Sequence, residues 1–253
     1  MLRSLKWSVL RFVGRHGYQV IPNWRLTEGG LGLHLKRLFE VEKIDFVVDV
    51  GANQGQYHDF LREFVGYRGL IASFEPNMDL VSLLQDRARK DPSWRIFGVA
   101  LGPTEGPSNF NVMEDRQFSS FLMPDDVATS SFSTQNRVAE TRAVQMTTLD
   151  TAYYDLQRQF GFRRPYLKLD TQGYDLEVVK GAGAVLQEFK ALQTEASVKP
   201  IYKQMPDYRT TIATMQARGF ELSGMFSVTD ECFPLLVEFD CVMVNSRVVT
   251  TSL

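Results

Sequence analysis

Cysteine is scarce in this sequence, with only Cys232 and Cys241 among 253 residues. Two cysteines cannot build the disulfide framework of a small secreted domain, and no Cys-x-x-Cys pair or His/Cys cluster indicates a zinc site. Histidine is also rare, with three in the chain. No dense cluster of acids provides metal ligands in its place. The sequence therefore predicts a protein of the reducing cytoplasm without a bound metal.

An excess of charge of one sign is absent as well. The chain has 28 Lys and Arg against 30 Asp and Glu, which gives a formal net charge of −2. A nucleic-acid-binding protein usually presents a strong basic field. We therefore expect no nucleic-acid partner.

Long hydrophobic runs are missing too, because no apolar run in the sequence is long enough to span a bilayer. Residues 1–22 place apolar side chains at helical spacing between basic ones, and Arg11 interrupts what would be the core of a signal peptide. The pattern predicts an amphipathic helix with two alternative uses. In the first, its apolar side packs on the domain or on a second subunit of a homodimer. In the second, the helix makes peripheral contact with anionic lipid at the inner face of the membrane.

Beyond this helix, short apolar runs alternate with longer amphipathic segments, which is typical of an α/β sheet. We divide the chain into an N-terminal helix and connector (residues 1–32) and one domain (33–253). Strands are predicted at 44–50, 69–75, 94–101, 164–170, 191–196, 220–228 and 235–245, with the last two forming an antiparallel edge hairpin. Helices are predicted at 55–65, 78–90, 174–189 and 208–218.

The alternation breaks at about residues 102–142, a stretch rich in Ser, Thr and Asp that lacks sustained periodicity. A long irregular insertion in a compact domain is usually functional. We expect residues 118–139 to form a mobile cover over the site where the substrate binds.

The run "VVDVGANQGQY" (47–57) begins like a dinucleotide-binding loop, in which a strand ends in a glycine turn. The second glycine of such a loop lets the backbone approach a pyrophosphate, but Asn53 occupies that position. A ligand with a carboxylate and an amine at this point can bond to the Asn53 side chain and the loop amides. S-adenosylmethionine is such a ligand, and it contains no phosphate.

The second predicted strand ends at Glu75, which is followed by Pro76. A carboxylate at the carboxyl end of this strand can accept hydrogen bonds from both ribose hydroxyls of an adenosine. NAD sites use the same arrangement, so Glu75 supports the methyl donor only together with the altered glycine loop. A solvated charge at a strand end is the alternative interpretation.

Three segments together resemble the FkbM type of S-adenosylmethionine-dependent methyltransferases: "VVDVGANQGQY", "FEPN" and "LKLDTQGYDLEVVKGA". The resemblance covers about residues 44–195. It implies a Rossmann-like seven-stranded methyltransferase sheet that is mostly parallel, with an antiparallel edge hairpin and helices on both faces. It also implies O-methylation of a hydroxyl on a sugar, a glycan or a natural product.

The resemblance also implies roles for particular residues. Asp170 would lie at the reaction centre, and Gln172 occupies a position where such enzymes often have an acid. The amino-acid end of the donor would be lined by Asp49, Gly51, Ala52, Asn53, Gly55 and Gln56, the ribose by Glu75 and Pro76, and the adenine by Val99 and Ala100.

Methyl transfer to an alcohol requires removal of the hydroxyl proton as the bond forms. Asp170, at the carboxyl end of a predicted strand, is the first candidate for the base, and Glu195 on the next strand is the second. We expect the two to face one pocket, where they shift each other's pKa. Lys168 should lie on the same side of its strand as Asp170, either orienting the reacting groups or forming a buried structural ion pair.

Other interpretations stay open at this point. His58 lies near the glycine loop and is a reserve candidate for the base, although a lone histidine, such as His34, is more often structural. Paired acids such as Asp170 and Glu195 also suit a divalent metal, but no ligand cluster accompanies them. Besides methyl transfer, the sheet suits an NAD-linked oxidoreductase or epimerase, or a non-catalytic nucleoside-binding module.

Overall fold

The computed structural model describes residues 26–125, 136–228 and 234–249. The amphipathic helix predicted for residues 1–22 lies outside these ranges, as does the middle of the expected cover, residues 126–135.

Seven helices and ten strands form the described part of the chain. The helices are α1 (Leu26–Glu42), α2 (Gln56–Phe60), α3 (Met78–Ala88), α4 (Leu149–Phe160), α5 (Asp175–Lys180), α6 (Tyr208–Ala217) and α7 (Ser246–Val249). A π-helical turn, Leu61–Val65, extends α2, and short 3₁₀ turns lie at Arg116–Phe118 and Val185–Glu188. The strands are β1 (Phe46–Val50), β2 (Leu70–Phe74), β3 (Trp94–Phe97), β4 (Ala100–Gly102), β5 (Gly106–Met113), β6 (Val138–Thr148), β7 (Pro165–Leu169), β8 (Ala191–Ser197), β9 (Phe220–Ser227) and β10 (Glu238–Asn245).

Seven strands form the main sheet in the order β3-β2-β1-β7-β8-β10-β9. The first five are parallel, whereas β10 pairs antiparallel with both β8 and β9. All five residues of β1 and of β7 are buried, as expected for strands covered on both faces. The structure confirms the predicted fold class and its antiparallel edge hairpin.

The strand order reverses between β1 and β7. From β1 the chain passes outward through β2 to β3, and it later returns to the other side of β1 as β7. Such a reversal leaves a crevice at the carboxyl ends of the two central strands, where open α/β sheets bind ligands. The predicted site residues follow these strand ends.

The predicted connector up to residue 32 is wrong from Leu26 onward, because this stretch belongs to α1. Its glycines bring the helix close to its neighbours. A Cβ at Gly32 would lie 2.1 Å from Phe64, and one at Gly30 would lie 3.3 Å from Phe226. The glycines that suggested a break therefore serve close packing.

The predicted irregularity of residues 102–142 is wrong for two long strands. β5 and β6 pair antiparallel, and β4 pairs with β6, so that the three form a second sheet. This sheet covers a small core of Ala100, Phe110, Val112, Val144 and Met146. Polar residues interrupt the apolar ones along both long strands, so neither contains a long apolar run.

Two predicted elements are divided. The strand predicted at 94–101 splits into β3 and β4, which belong to different sheets. The helix predicted at 174–189 ends at Lys180, where a Cβ on Gly181 would lie 2.0 Å from the Gly102 carbonyl oxygen, and Gly183 follows with a φ of +52°. Close contact with β4 and a left-handed residue interrupt the helix.

We expect Gly51→Ala to destabilise the protein much more than Gly66→Ala. Both glycines have φ near +80°, but a Cβ at Gly51 would lie 1.9 Å from the Asp170 carbonyl oxygen, whereas one at Gly66 meets nothing within 4 Å. The left-handed conformation alone costs about 1–2 kcal/mol, and the backbone clash should add about 1–3 kcal/mol. Urea denaturation of both variants measures the difference. Equal losses of stability would contradict the close contact between the glycine loop and the end of β7.

Candidate functional site

A cavity of about 430 Å³ opens at the carboxyl ends of the central strands. Ten of the residues predicted from the sequence line it: Gly51, Ala52, Asn53, Gln56, Glu75, Pro76, Ala100, Lys168, Asp170 and Glu195. The structure therefore brings the candidate donor loop and both candidate bases to one cavity.

Glu75 lies at one end of this cavity, directly after β2. Its Oε2 accepts a hydrogen bond from the Asn53 amide at 2.8 Å, and its Oε1 accepts one from the Asn77 amide at 2.9 Å. Burial raises the pKa of Glu75 to about 7, against the opposing effect of these two amides. The carboxylate is fixed in place and changes its charge near neutral pH.

Lys168 lies between the glycine loop and the first candidate base. It is only 4% exposed, and its Nζ is 3.2 Å from Asp170 Oδ2, 3.4 Å from Asp49 Oδ1 and 3.3 Å from the Gly51 carbonyl oxygen. Burial lowers the pKa of Lys168, but the Asp170 and Asp49 carboxylates outweigh this effect, so that the net shift is upward. The lysine stays charged and lies on the same side of its strand as Asp170, as predicted.

Three of the predicted residues lie outside the cavity lining. Asp49 is fully buried beneath it and accepts a hydrogen bond from the Ser73 hydroxyl at 2.7 Å. Gly55 forms the left-handed start of α2, where a Cβ would lie 2.8 Å from Trp94. Val99 is half-buried and packs on the main core. Their roles in holding the donor therefore stay predictions.

Four carboxylates gather at the other end of the cavity: Asp170, Glu195, Glu238 and Asp240. Burial and then the neighbouring acids, led by Glu238 and Asp170, raise the pKa of Glu195 well above its ordinary range. Burial likewise raises the pKa of Glu238 to about 7 and that of Asp240 to about 6. Because these like charges disfavour one another, this end of the cavity can hold and release protons near neutral pH.

Sequence reasoning missed Glu238 and Asp240. They reach the cavity because β10 runs antiparallel beside β8, which places Asp240 opposite Glu195. The sequence feature that could have indicated them is the alternation of two acids in the otherwise apolar run "VEFDCVMVN". Alternate residues of a strand face the same side, but the run does not reveal which strand lies next to it.

Neither histidine near the predicted site is part of it. His58 stacks on Trp94 with ring centroids 3.7 Å apart, and its ring nitrogens lie within 3.0 Å of Asp59 and 2.9 Å of Asp91. His34 bonds to the Ser223 hydroxyl at 2.9 Å. These contacts agree with a structural role for both histidines and not with a role as the base.

The cavity fits S-adenosylmethionine in its polar and apolar groups. Two buried side-chain atoms of lining residues, Asn53 Oδ1 and Asn77 Nδ2, have no hydrogen-bond partner within the protein. A ligand with donors and acceptors would satisfy both atoms. The apolar lining beyond Glu75 suits a nucleobase and comprises Pro76, Leu80, Ala100, Leu101 and Phe110.

Within the described ranges, no group of three or more His, Cys, Asp or Glu side chains is arranged to hold a metal ion. None of the helices in those ranges has the length and apolar character needed to cross a bilayer.

Solved structures with this fold include several methyltransferases. The chain is similar to the FkbM methyltransferase from Methylobacillus flagellatus KT, with 14% identity and a TM-score of 0.51 over 79% of this chain and 43% of that one. It therefore spans less than half the length of that protein. It is also similar to magnesium protoporphyrin IX methyltransferase from Synechocystis PCC 6803, solved with S-adenosylmethionine, with 11% identity and a TM-score of 0.44 over 93% and 90% of the two chains.

A third similar structure is fibrillarin from Aeropyrum pernix with natively bound S-adenosyl-L-methionine. It has 12% identity and a TM-score of 0.43 over 79% of this chain and 66% of that one. At 14% identity, the similarity to the Methylobacillus protein shows a common fold and nothing further. Among curated protein sequences, none matches the chain significantly.

A sequence profile of the FkbM methyltransferase domain matches residues 49–222, which is more than half of the chain. The matched range includes the glycine loop, Glu75, Lys168, Asp170 and Glu195. The chain therefore belongs to the FkbM family of methyltransferases, whose methyl donor is S-adenosylmethionine.

Proposed function

We propose that this protein transfers a methyl group from S-adenosylmethionine to a hydroxyl of a sugar, a glycan or a natural product. The observation that carries the proposal is that one cavity contains both the Glu75 end, suited to a nucleoside, and the Asp170 and Glu195 carboxylates. The family match favours this activity over the NAD-linked alternative.

S-adenosylmethionine supplies an activated methyl group, so the protein has to align the acceptor and remove its proton. Asp170 is the first candidate for the base because its side chain is 38% exposed. An acceptor hydroxyl can therefore reach it. Lys168, at 3.2 Å, fixes one of its oxygens.

Glu195 is the second candidate. Because its pKa is raised by burial and by the neighbouring acids, it can store a proton that Asp170 has taken. The paired acids therefore offer a base and a proton acceptor in one cavity.

The charge of the cavity favours an acceptor without a phosphate backbone. Asp170, Glu195, Glu238 and Asp240 line the end away from Glu75, and carboxylates repel a phosphate backbone. This supports a glycan or another small molecule as the acceptor and disfavours nucleic acid.

We place the reaction in the cytoplasm, which agrees with the free and buried Cys241. Peripheral membrane contact and a homodimer through residues 1–22 stay predictions, because that segment lies outside the described ranges. The division into an N-terminal segment and one domain, and the insertion at about 102–142, also stay proposals.

We expect the affinity for S-adenosylmethionine to fall about tenfold between pH 8 and pH 6. The pKa of Glu75 is raised to about 7, so the carboxylate takes up a proton in this range and loses strength as an acceptor for ribose hydroxyls. Isothermal titration calorimetry at several pH values, with NAD measured in parallel, tests the effect.

The variant Glu75→Gln should bind the donor weakly at both pH values, whereas Glu188→Gln, whose side chain does not line the cavity, should behave like the wild type. A pH dependence that survives in Glu75→Gln would assign the titration to another acid, such as Glu238.

We expect Asp170→Asn to keep donor binding within a few-fold and to lower kcat by roughly 10²-fold or more. Asparagine preserves the shape of the side chain but cannot take a proton. Steady-state kinetics with a saturating acceptor measures the effect, and Glu195→Gln is the paired variant. A larger loss in Glu195→Gln would move the base to β8. Wild-type rates in both variants would rule out both carboxylates.

A further inference from the structure

The Gln172 side chain lies between the two candidate bases. Its Nε2 is 3.2 Å from Asp170 Oδ1 and 3.2 Å from Glu195 Oε2. A primary amide nitrogen carries two hydrogens. One nitrogen therefore donates to both carboxylates at once.

The orientation of this amide is set by its surroundings. Gln172 Oε1 is 3.2 Å from the Tyr202 hydroxyl, which can donate to it. The reversed orientation would place Oε1 against two carboxylate oxygens, and all three atoms are acceptors. The hydrogen-bond network therefore assigns the nitrogen to the side of Asp170 and Glu195.

The backbone of Gln172 is held as well. Its φ is +52°, in the left-handed region that residues other than glycine rarely adopt. The Ser120 hydroxyl donates to its carbonyl oxygen at 2.8 Å. The Tyr202 hydroxyl also lies 2.6 Å from the Phe118 carbonyl oxygen. Its one hydrogen donates either to Phe118 or to Gln172 Oε1, so Tyr202 lies between Gln172 and the segment after β5.

We propose that Gln172, oriented by Tyr202, is a positioning residue that holds Asp170 and Glu195 in place and favours their ionised forms. This inference rests on the proposed function, in which these carboxylates serve the acceptor hydroxyl. Gln172 itself takes up no proton, so its effect on the reaction passes through the two acids.

The charges around the pair determine the direction of the expected effect. Lys168 lies 3.2 Å from Asp170 and favours its ionised form, as Gln172 does. The remaining ionisable groups that act on the pair oppose its ionisation or stay neutral near pH 7: Asp175 on α5, Glu238 and Asp240 on β10, and the Tyr202 phenol. Loss of the Gln172 donors should therefore raise the pKa of Glu195 further.

The variant Gln172→Met tests the inference, because methionine is of similar size and donates no hydrogen bond. Carboxyl ¹³C NMR titration of the full chain reports the pKa of both acids, with signals assigned from Asp170→Asn and Glu195→Gln. We expect the pKa of at least one acid to rise by about one pH unit. The acidic limb of the kcat profile should move upward by the same amount, with donor affinity within a few-fold of the wild type.

The matched control is Gln187→Met, since the Gln187 amide donates to the Arg218 carbonyl and lies outside the cavity lining. It should leave both carboxyl pKa values and the kcat profile unchanged. Tyr202→Phe removes only the orienting hydroxyl and should cause a smaller upward shift, which also tests the inference if Gln172→Met does not fold.

Unchanged carboxyl pKa values in Gln172→Met, or in Tyr202→Phe where that variant replaces it, would overturn the positioning role even if methyl transfer occurs. Failure of the wild type to methylate an acceptor would instead contradict the proposed function, and the NMR titration would still decide the role of Gln172.

Discussion

The buried ammonium of Lys168 is the interaction on which the site depends. Its Nζ forms ion pairs with Asp170 at 3.2 Å and Asp49 at 3.4 Å, and it donates a hydrogen bond to the Gly51 carbonyl oxygen at 3.3 Å. A buried charge is tolerated only when it is paired and hydrogen-bonded. Lys168 thus links β1, the glycine loop and the end of β7 into one unit.

The cavity beside this unit is lined by two chemically different groups of side chains. On one side, Glu75 is fixed by the Asn53 and Asn77 amides, beside apolar side chains. On the other side, four carboxylates share a small volume, with Lys168 beside them as a cation. A nucleoside suits the first end and a hydroxyl that must lose its proton suits the second. Like Lys168, Gln172 provides hydrogen-bond donors to the carboxylates, because its amide nitrogen lies beside both Asp170 and Glu195.

Local patterns predicted the parts of the site that lie close together in the sequence. The glycine turn at Gly51 and the acid at Glu75 each follow a buried apolar strand, so their positions at the carboxyl edge could be deduced. The alternation of Lys168 and Asp170 likewise placed both on one face of a strand. The structure confirms these placements.

The remaining parts depend on contacts between distant segments. Strand pairing places four polar residues in one row across four strands: Ser73, Asp49, Lys168 and Gln193. No single run of residues in the sequence reveals this row. Glu238 and Asp240 enter the cavity for the same reason.

The second sheet was missed because its strands are half-exposed, so their mixed polarity resembled a loop. The glycines of α1 were misread as a break because their packing partners lie far along the chain.

The most direct test of the account is methyl transfer by the wild-type protein from S-adenosylmethionine carrying a labelled methyl group. The acceptor panel should contain cell-envelope sugars, lipid-linked glycans and RNA, and the labelled product should be analysed for an O-methyl ether. The account predicts label on a hydroxyl of a glycan or another small molecule and none on RNA. Label on RNA, or tight donor binding without transfer to any hydroxyl acceptor, would contradict it.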